Sequence, residues 1–271
     1  MDRRQQVTRP FSMKIQQAIF TSSDRGQIKG YQLVAMSDGI DRGISKELYR
    51  WSPSHMGNDD PTHWTINYFP VSKDCVAVAR TVLGGPEYSG RGGLQVVTLI
   101  AVLHNEQFAT YGNNAILVAQ TALALGWLRL PTGMPHRLEA FELPDHPVEL
   151  PPGNQRLRKK GVAENDSPTW GPASKDFDDD DSEFRLLSEV IELLKENNRL
   201  AIIGARSPVE MAAKLISHLS PESRREFSFT TGLPPAPHRP FQAHFLAYSN
   251  RALDQMFKSD CVTVVKGQPI A

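Results

Sequence analysis

Between residues 84 and 93 the chain reads Gly84-Gly85-Pro86-Glu87-Tyr88-Ser89-Gly90-Arg91-Gly92-Gly93. Glycines at this density let backbone amides approach a phosphate closely. An arginine on such a loop reaches a phosphate or a partner's carboxylate. The candidate ligand- or partner-binding residues are therefore Arg91, Ser89, Tyr88, Gly90 and Gly92. The loop is not a P-loop, because no Gly-Lys-Ser/Thr ends it. Counted from Gly90, the dinucleotide fingerprint meets Gln95 where its third glycine belongs. A plain connection between two strands is the favoured reading, with Arg91 as the functional option.

Other patterns fall short in identifiable ways. Ser89 lacks both glycines of a nucleophile elbow. His104-Asn105-Glu106 begins like a zinc deaminase motif, but no Cys-x-x-Cys follows it. No two histidines fall in His-x-x-x-His spacing. The acidic run Asp176 to Asp181 has Asp181 where a calcium loop needs glycine and Leu187 where it needs glutamate. The basic cluster at 156–160 has no interleaved aromatics for stacking bases. Ile202 to Pro208 runs from a strand into a helix start, where Ser207-Pro208-Val209-Glu210 reads as a capping box. Pro234-Pro235-Ala236-Pro237 contains a Pro-x-x-Pro motif, a pattern too common to carry weight. No catalytic residue, metal ligand or cofactor is expected.

The elements that would position these residues alternate between two periods. Ile15 to Phe20, Tyr31 to Met36, Cys75 to Leu83 and Leu94 to Leu103 read as strands. The last is nearly all apolar, as a strand covered on both faces must be. Helical spacing predicts helices over 41–51 and from Asn113 or Asn114 to Leu125, with residues 53–63 as loop. Phe184, Leu187, Ile191 and Leu194 form a helical stripe, followed by a strand at Leu200 to Gly204 and a helix from Ser207. Ser220-Pro221 starts a short helix. Phe227 to Thr230 is expected to be a half-buried strand. Gly232 to Pro240 is a proline-rich loop, and strands follow at Phe241 to Ala247 and Val262 to Val265.

The fold class expected is mixed α+β or α/β, a β-sheet core with helices and a long disordered-looking insertion. Residues 1–13 read as a disordered leader, 14–143 as an N-terminal half, 144–183 as a Pro-rich and charged linker or insertion, and 184–271 as a C-terminal half. Thirty basic residues balance thirty acidic ones, so no net field draws nucleic acid or an anionic membrane. Two cysteines, Cys75 and Cys261, form no disulfide framework. No apolar run is long enough to span a bilayer and no signal peptide is recognisable, so a cytoplasmic protein is expected.

Several phrases, in order, resemble one family. They are Gln16-Gln17-Ala18-Ile19-Phe20, Gly30 to Ile40, Glu87 to Gly93 before an apolar strand, and Leu219 to Thr231. Together they resemble the N-terminal domain of bacterial GTPase-associated proteins from nucleotide-dependent conflict systems. Where that family tends to carry a histidine in the strand after Gly-Arg, this chain has Val96-Val97-Thr98-Leu99-Ile100. The resemblance implies a non-enzymatic interaction or regulatory module with a protein partner, such as a Ras-like GTPase. It supplies no catalytic residue. A hydrolase or nucleotide-binding enzyme using the 84–93 loop is the alternative. Because the resembling phrases lie on both sides of 144–183, the two halves are expected to pack as one composite module.

Overall fold

A computed structural model describes residues 12–24, 29–57, 60–87, 93–147, 180–196, 199–205, 207–260 and 262–266, with backbone only at 180–184. The first part is built from β1 (Ser12–Ser23), β2 (Gly30–Met36), α1 (Arg42–Trp51), β3 (Trp64–Pro70), β4 (Cys75–Pro86), β5 (Leu94–His104), α2 (Asn105–Ala109), α3 (Ala115–Ala124) and β6 (Phe141–Pro144). The second comprises α4 (Asp180–Lys195), β7 (Arg199–Ile203), α5 (Pro208–His218), α6 (Pro221–Glu226), β8 (Phe229–Thr230), β9 (Ala243–Leu246), α7 (Arg251–Ser259) and β10 (Val262–Lys266).

The ten described strands form one mixed sheet in the order β10-β7-β9-β8-β3-β4-β5-β1-β2, with β6 also pairing β1. From β3 to β2 every pairing is antiparallel. From β8 to β10 every pairing is parallel. The two regimes meet where β3 pairs antiparallel with β8, Asn67 opposite Thr230. Strands from both sides of 148–179 therefore share one sheet.

Both sheet faces are covered. On one, α3, α4 and α5 pack through Val118, Ala122, Val190 and Leu215 against Val78, Leu99, Ile202 and Phe245. On the other, α1 sets Leu48 and Trp51 over Phe69, Ala77 and Ile100. The Trp51 and Phe69 rings stack at 5.1 Å and 7°, a contact worth about 1 kcal/mol beyond the area it buries. A smaller cluster places Phe257 of α7 against Ala201, Ile203 and Leu246.

Local signals explain several helix starts. Asp41 caps α1 by accepting from the Ile44 amide, and Asn114 caps α3 through the Ile116 and Leu117 amides. Ser207 accepts from the Glu210 amide at 3.3 Å with Pro208 at the first helical position, and a cap of this kind contributes about 1 kcal/mol.

The structure also departs from the sequence reading. Ser12 and Met13, read as leader, open β1 and pair with Pro144 and Leu143 of β6. Pro144 itself, read as the start of the insertion, is therefore sheet. Gly84, Gly85 and Pro86 belong to β4, with Pro86 opposite Leu94. The connection is thus shorter than 84–93. Phe227 to Thr230 is buried on both sides rather than half-buried. Ala247 lies outside β9 and is exposed. The basic cluster at 156–160, Asp176 to Asp179, Arg206 and Cys261 lie outside the described residues.

Candidate functional site

The β1–β2 hairpin and the start of β5 converge at one end of the sheet. Antiparallel pairing carries β1 to Ser23, opposite Gly30. Gln95, near the start of β5, donates from Nε2 to the Ser22 carbonyl at 2.7 Å. The Val96 amide donates to the Tyr31 hydroxyl at 3.2 Å. Burial pushes the Tyr31 phenol upward, and the charge of Glu87 adds to the rise. These links hold the end of β1, the start of β2 and the start of β5 in one frame.

Between that frame and the segment Met134-Pro135-His136 runs an open groove of about 480 Å³. Its lining includes Ser23, Asp24, Gln32, Leu33, Val34 and Gln95. The outer wall is tied to the sheet edge, because the Leu138 amide donates to the Met36 carbonyl at 3.3 Å and Gln17 Nε2 to the Glu139 carbonyl at 2.6 Å. Arg137 also forms an ion pair with Asp38 on the surface. The groove offers hydroxyl and amide groups beside an aliphatic wall, a mixture suited to an extended chain.

The glycine connection enters the same end of the sheet. The Glu87 amide donates to the Gly93 carbonyl at 2.9 Å, closing its neck. At Gly84 a Cβ would lie 3.1 Å from Val97 Cγ2 and 3.3 Å from the Gln95 carbonyl, so close strand approach accounts for that glycine. The candidate residues Tyr88, Ser89, Gly90, Arg91 and Gly92 lie outside the described residues. What the structure places is their neck, two residues before the groove-lining Gln95.

The other motifs have structural work. The His104 amide donates to Gln107 Oε1 at 2.9 Å at the start of α2, and its ring Nδ1 lies 3.3 Å from Cys75 Sγ. Pro234, Pro235 and Ala236 are buried, so the Pro-x-x-Pro run is packed rather than displayed. Among the described residues, no group of three or more His, Cys, Asp or Glu is placed to hold a metal ion, and no helix is long and apolar enough to cross a membrane. Sequence reasoning missed the groove itself, since Gln32, Met134 and His136 carry no motif and meet only through the fold.

Residues 14–141 match GTPase-associated protein 1, N-terminal domain type 2. The match begins in β1 and ends at the first residue of β6, so it takes in the antiparallel strands β1 to β5 together with α1, α2 and α3. The resemblance carried by Gln16 to Phe20, Gly30 to Ile40 and Glu87 to Gly93 is borne out over this span. The phrase Leu219 to Thr231 lies beyond it. The groove is lined entirely by residues of the matched segment. No curated protein and no solved structure matches the chain.

Proposed function

We propose that the chain is a non-enzymatic interaction module that engages a GTPase, of the Ras-like kind, or another protein of the same bacterial conflict or signalling system. The observation that carries this reading is the match of residues 14–141 to a GTPase-associated domain. The groove supports it, because β2 stands at the end of the sheet order and edge strands accept extended segments of partners. Residues Gly30 to Met36 include no charge and no proline, the usual protections of an edge. In this reading an extended segment of the partner lies along β2 against Met134 to His136, and Arg91 is a candidate contact for the same partner. The module acts in the cytoplasm and works as one composite unit.

Co-purification from the native host with quantitative mass spectrometry tests the reading. A GTPase or a neighbouring system component is expected, with recovery reduced at least about tenfold by Gln32→Lys with Met134→Lys. Reproducible recovery of no partner by the wild-type chain would sink it.

A second reading is favoured by the position of the same groove beside the Glu87–Gly93 neck. It is a hydrolase or nucleotide-binding enzyme using Ser89 and Arg91. Measurable turnover abolished by Arg91→Ala would establish it over the adaptor reading.

A further inference from the structure

Away from the groove, on the sheet face that carries α1 and α7, four basic side chains gather around one buried arginine. Arg239 leaves the proline-rich loop with only 1% of its surface exposed. Its Nη1 meets His238 Nε2 at 3.3 Å, and its Nε and Nη2 have no hydrogen-bond partner among the described residues. Burial alone lowers its guanidinium to about 10. Burial lowers His55, His238 and His244, and the charge of Arg239 adds to each fall, with Arg50 and His55 adding further to that of His238. Among the described residues, no carboxylate acts on any of these histidines or on Arg239. Glu47 is paired with Arg50 at 3.3 Å.

A guanidinium held out of water without a counter-charge is costly. Two free donors on one planar fork match the oxygens of a phosphate. The surroundings grade from floor to surface. His244 is fully buried and gives its Nδ1 to the Leu233 carbonyl at 3.1 Å, leaving Nε2 without a partner among the described residues. His55, His238 and Arg50 are exposed. The loop is held in place by packing, since a Cβ on Gly57 would lie 3.2 Å from Pro234 Cγ.

We propose that Arg239, with Arg50, His55 and His238, forms a binding site for a phosphate-class oxyanion. The anion supplies the missing counter-charge and accepts from Arg239 Nε and Nη2. The bound anion offsets the Arg239 charge that, after burial, depresses His238, so the His238 titration midpoint moves up.

The test titrates the full chain with inorganic phosphate and, separately, with a nucleoside monophosphate, at constant ionic strength set with chloride. Thermal unfolding and histidine side-chain NMR are followed together. The expected result is a rise in Tm with phosphate, an upward move of the His238 titration midpoint, and binding weakened at least about tenfold in Arg50→Gln and in His238→Gln. Both substitutions are at exposed positions, so the fold is retained. Tighter binding of the nucleotide than of phosphate assigns the anion to a nucleotide; equal binding assigns it to phosphate alone. No rise in Tm beyond the chloride control overturns the proposal. So does a rise that both variants retain in full. The site is separate from the β2 groove, so Gln32→Lys with Met134→Lys leaves phosphate binding unchanged.

Discussion

Thr230 Oγ1 donates to Asn67 Oδ1 at 2.6 Å. The bond crosses from β8 to β3, where the antiparallel and parallel parts of the sheet meet. It belongs to a buried polar row. Thr65 Oγ1 donates to the same Asn67 oxygen at 3.2 Å, Asn67 Nδ2 donates to Thr81 Oγ1 at 3.0 Å, and the Thr81 and Thr98 hydroxyls meet at 3.0 Å. The row spans β8, β3, β4 and β5 within an apolar face. Asn67→Val removes the acceptor of the Thr65 and Thr230 hydroxyls and one donor to Thr81, which keeps its bond to Thr98, and is expected to cost about 3 kcal/mol. Urea unfolding monitored by circular dichroism measures it. An unchanged midpoint would show that the row contributes no stability.

A second joint is made by Arg224. Its Nε donates to the Ile216 and Leu219 carbonyls at 2.8 and 2.9 Å, its Nη2 to the Ser217 carbonyl at 3.1 Å, and its Nη1 to the Gly112 carbonyl at 3.1 Å. One guanidinium therefore caps the end of α5 and ties it to the turn between α2 and α3. Charge-assisted bonds of this kind each contribute more than neutral ones. Arg224→Lys keeps the charge but loses the planar fork. It is expected to cost about 2 kcal/mol, with faster amide exchange at Leu219 as its local signature. Unaltered exchange at Leu219 would rule out a capping role.

These two joints explain what could be read in advance. The starts of α3 and α5 were legible because Asn114 and Ser207 are caps that act within a few residues of themselves, and α1 was legible from the helical spacing of Ile44, Leu48 and Trp51. The apolar run of β5 was legible because it is covered on both faces. β3 was not, since Thr65 and Asn67 break its apolar pattern and their partners lie on β4 and β8. For the same reason Ser228 and Thr230 looked solvent-facing, although both are buried. The short α2 and β6 offered too few residues for a period to emerge. The groove was not legible, because it depends on Met134 to His136 returning to the edge of β2. Arg239 was hidden inside a loop, where position carries no periodic signal.

Glycine positions separate backbone strain from crowding. Gly232 has φ +151°, and a Cβ there would lie 2.8 Å from Thr65 Cγ2 and 2.9 Å from His63 Nε2. Gly126 has φ +89° with nothing within 4 Å of its Cβ position. Gly126→Ala therefore meets backbone strain alone, about 1 to 2 kcal/mol. Gly232→Ala adds displacement of packed neighbours, for about 3 kcal/mol or more in total. Denaturant midpoints of the two variants compare them directly. Equal losses would mean that the Thr65 and His63 side chains yield freely.

Stability should fall on mild acidification, and the sign follows from His244. Burial lowers this imidazole to about 4 from an ordinary 6.5, with the charges of Arg199 and Arg239 acting in the same direction. The folded chain thus keeps it neutral between those values while the unfolded chain protonates it. The unfolded state binds more protons there, so stability rises with pH across that interval. The contribution is complete above about pH 6.5 and lost as pH falls towards 4, an effect of about 3 kcal/mol. His55, His63 and His238 are also held below their ordinary values, each chiefly by burial, and they steepen the same slope. Unfolding free energies measured at intervals from pH 8 to pH 4 should decline in chloride buffers. His244→Gln removes the titrating group and should flatten the curve below pH 6.5. A wild-type curve already flat through that range would mean that His244 reaches a proton-compensating partner in the folded state.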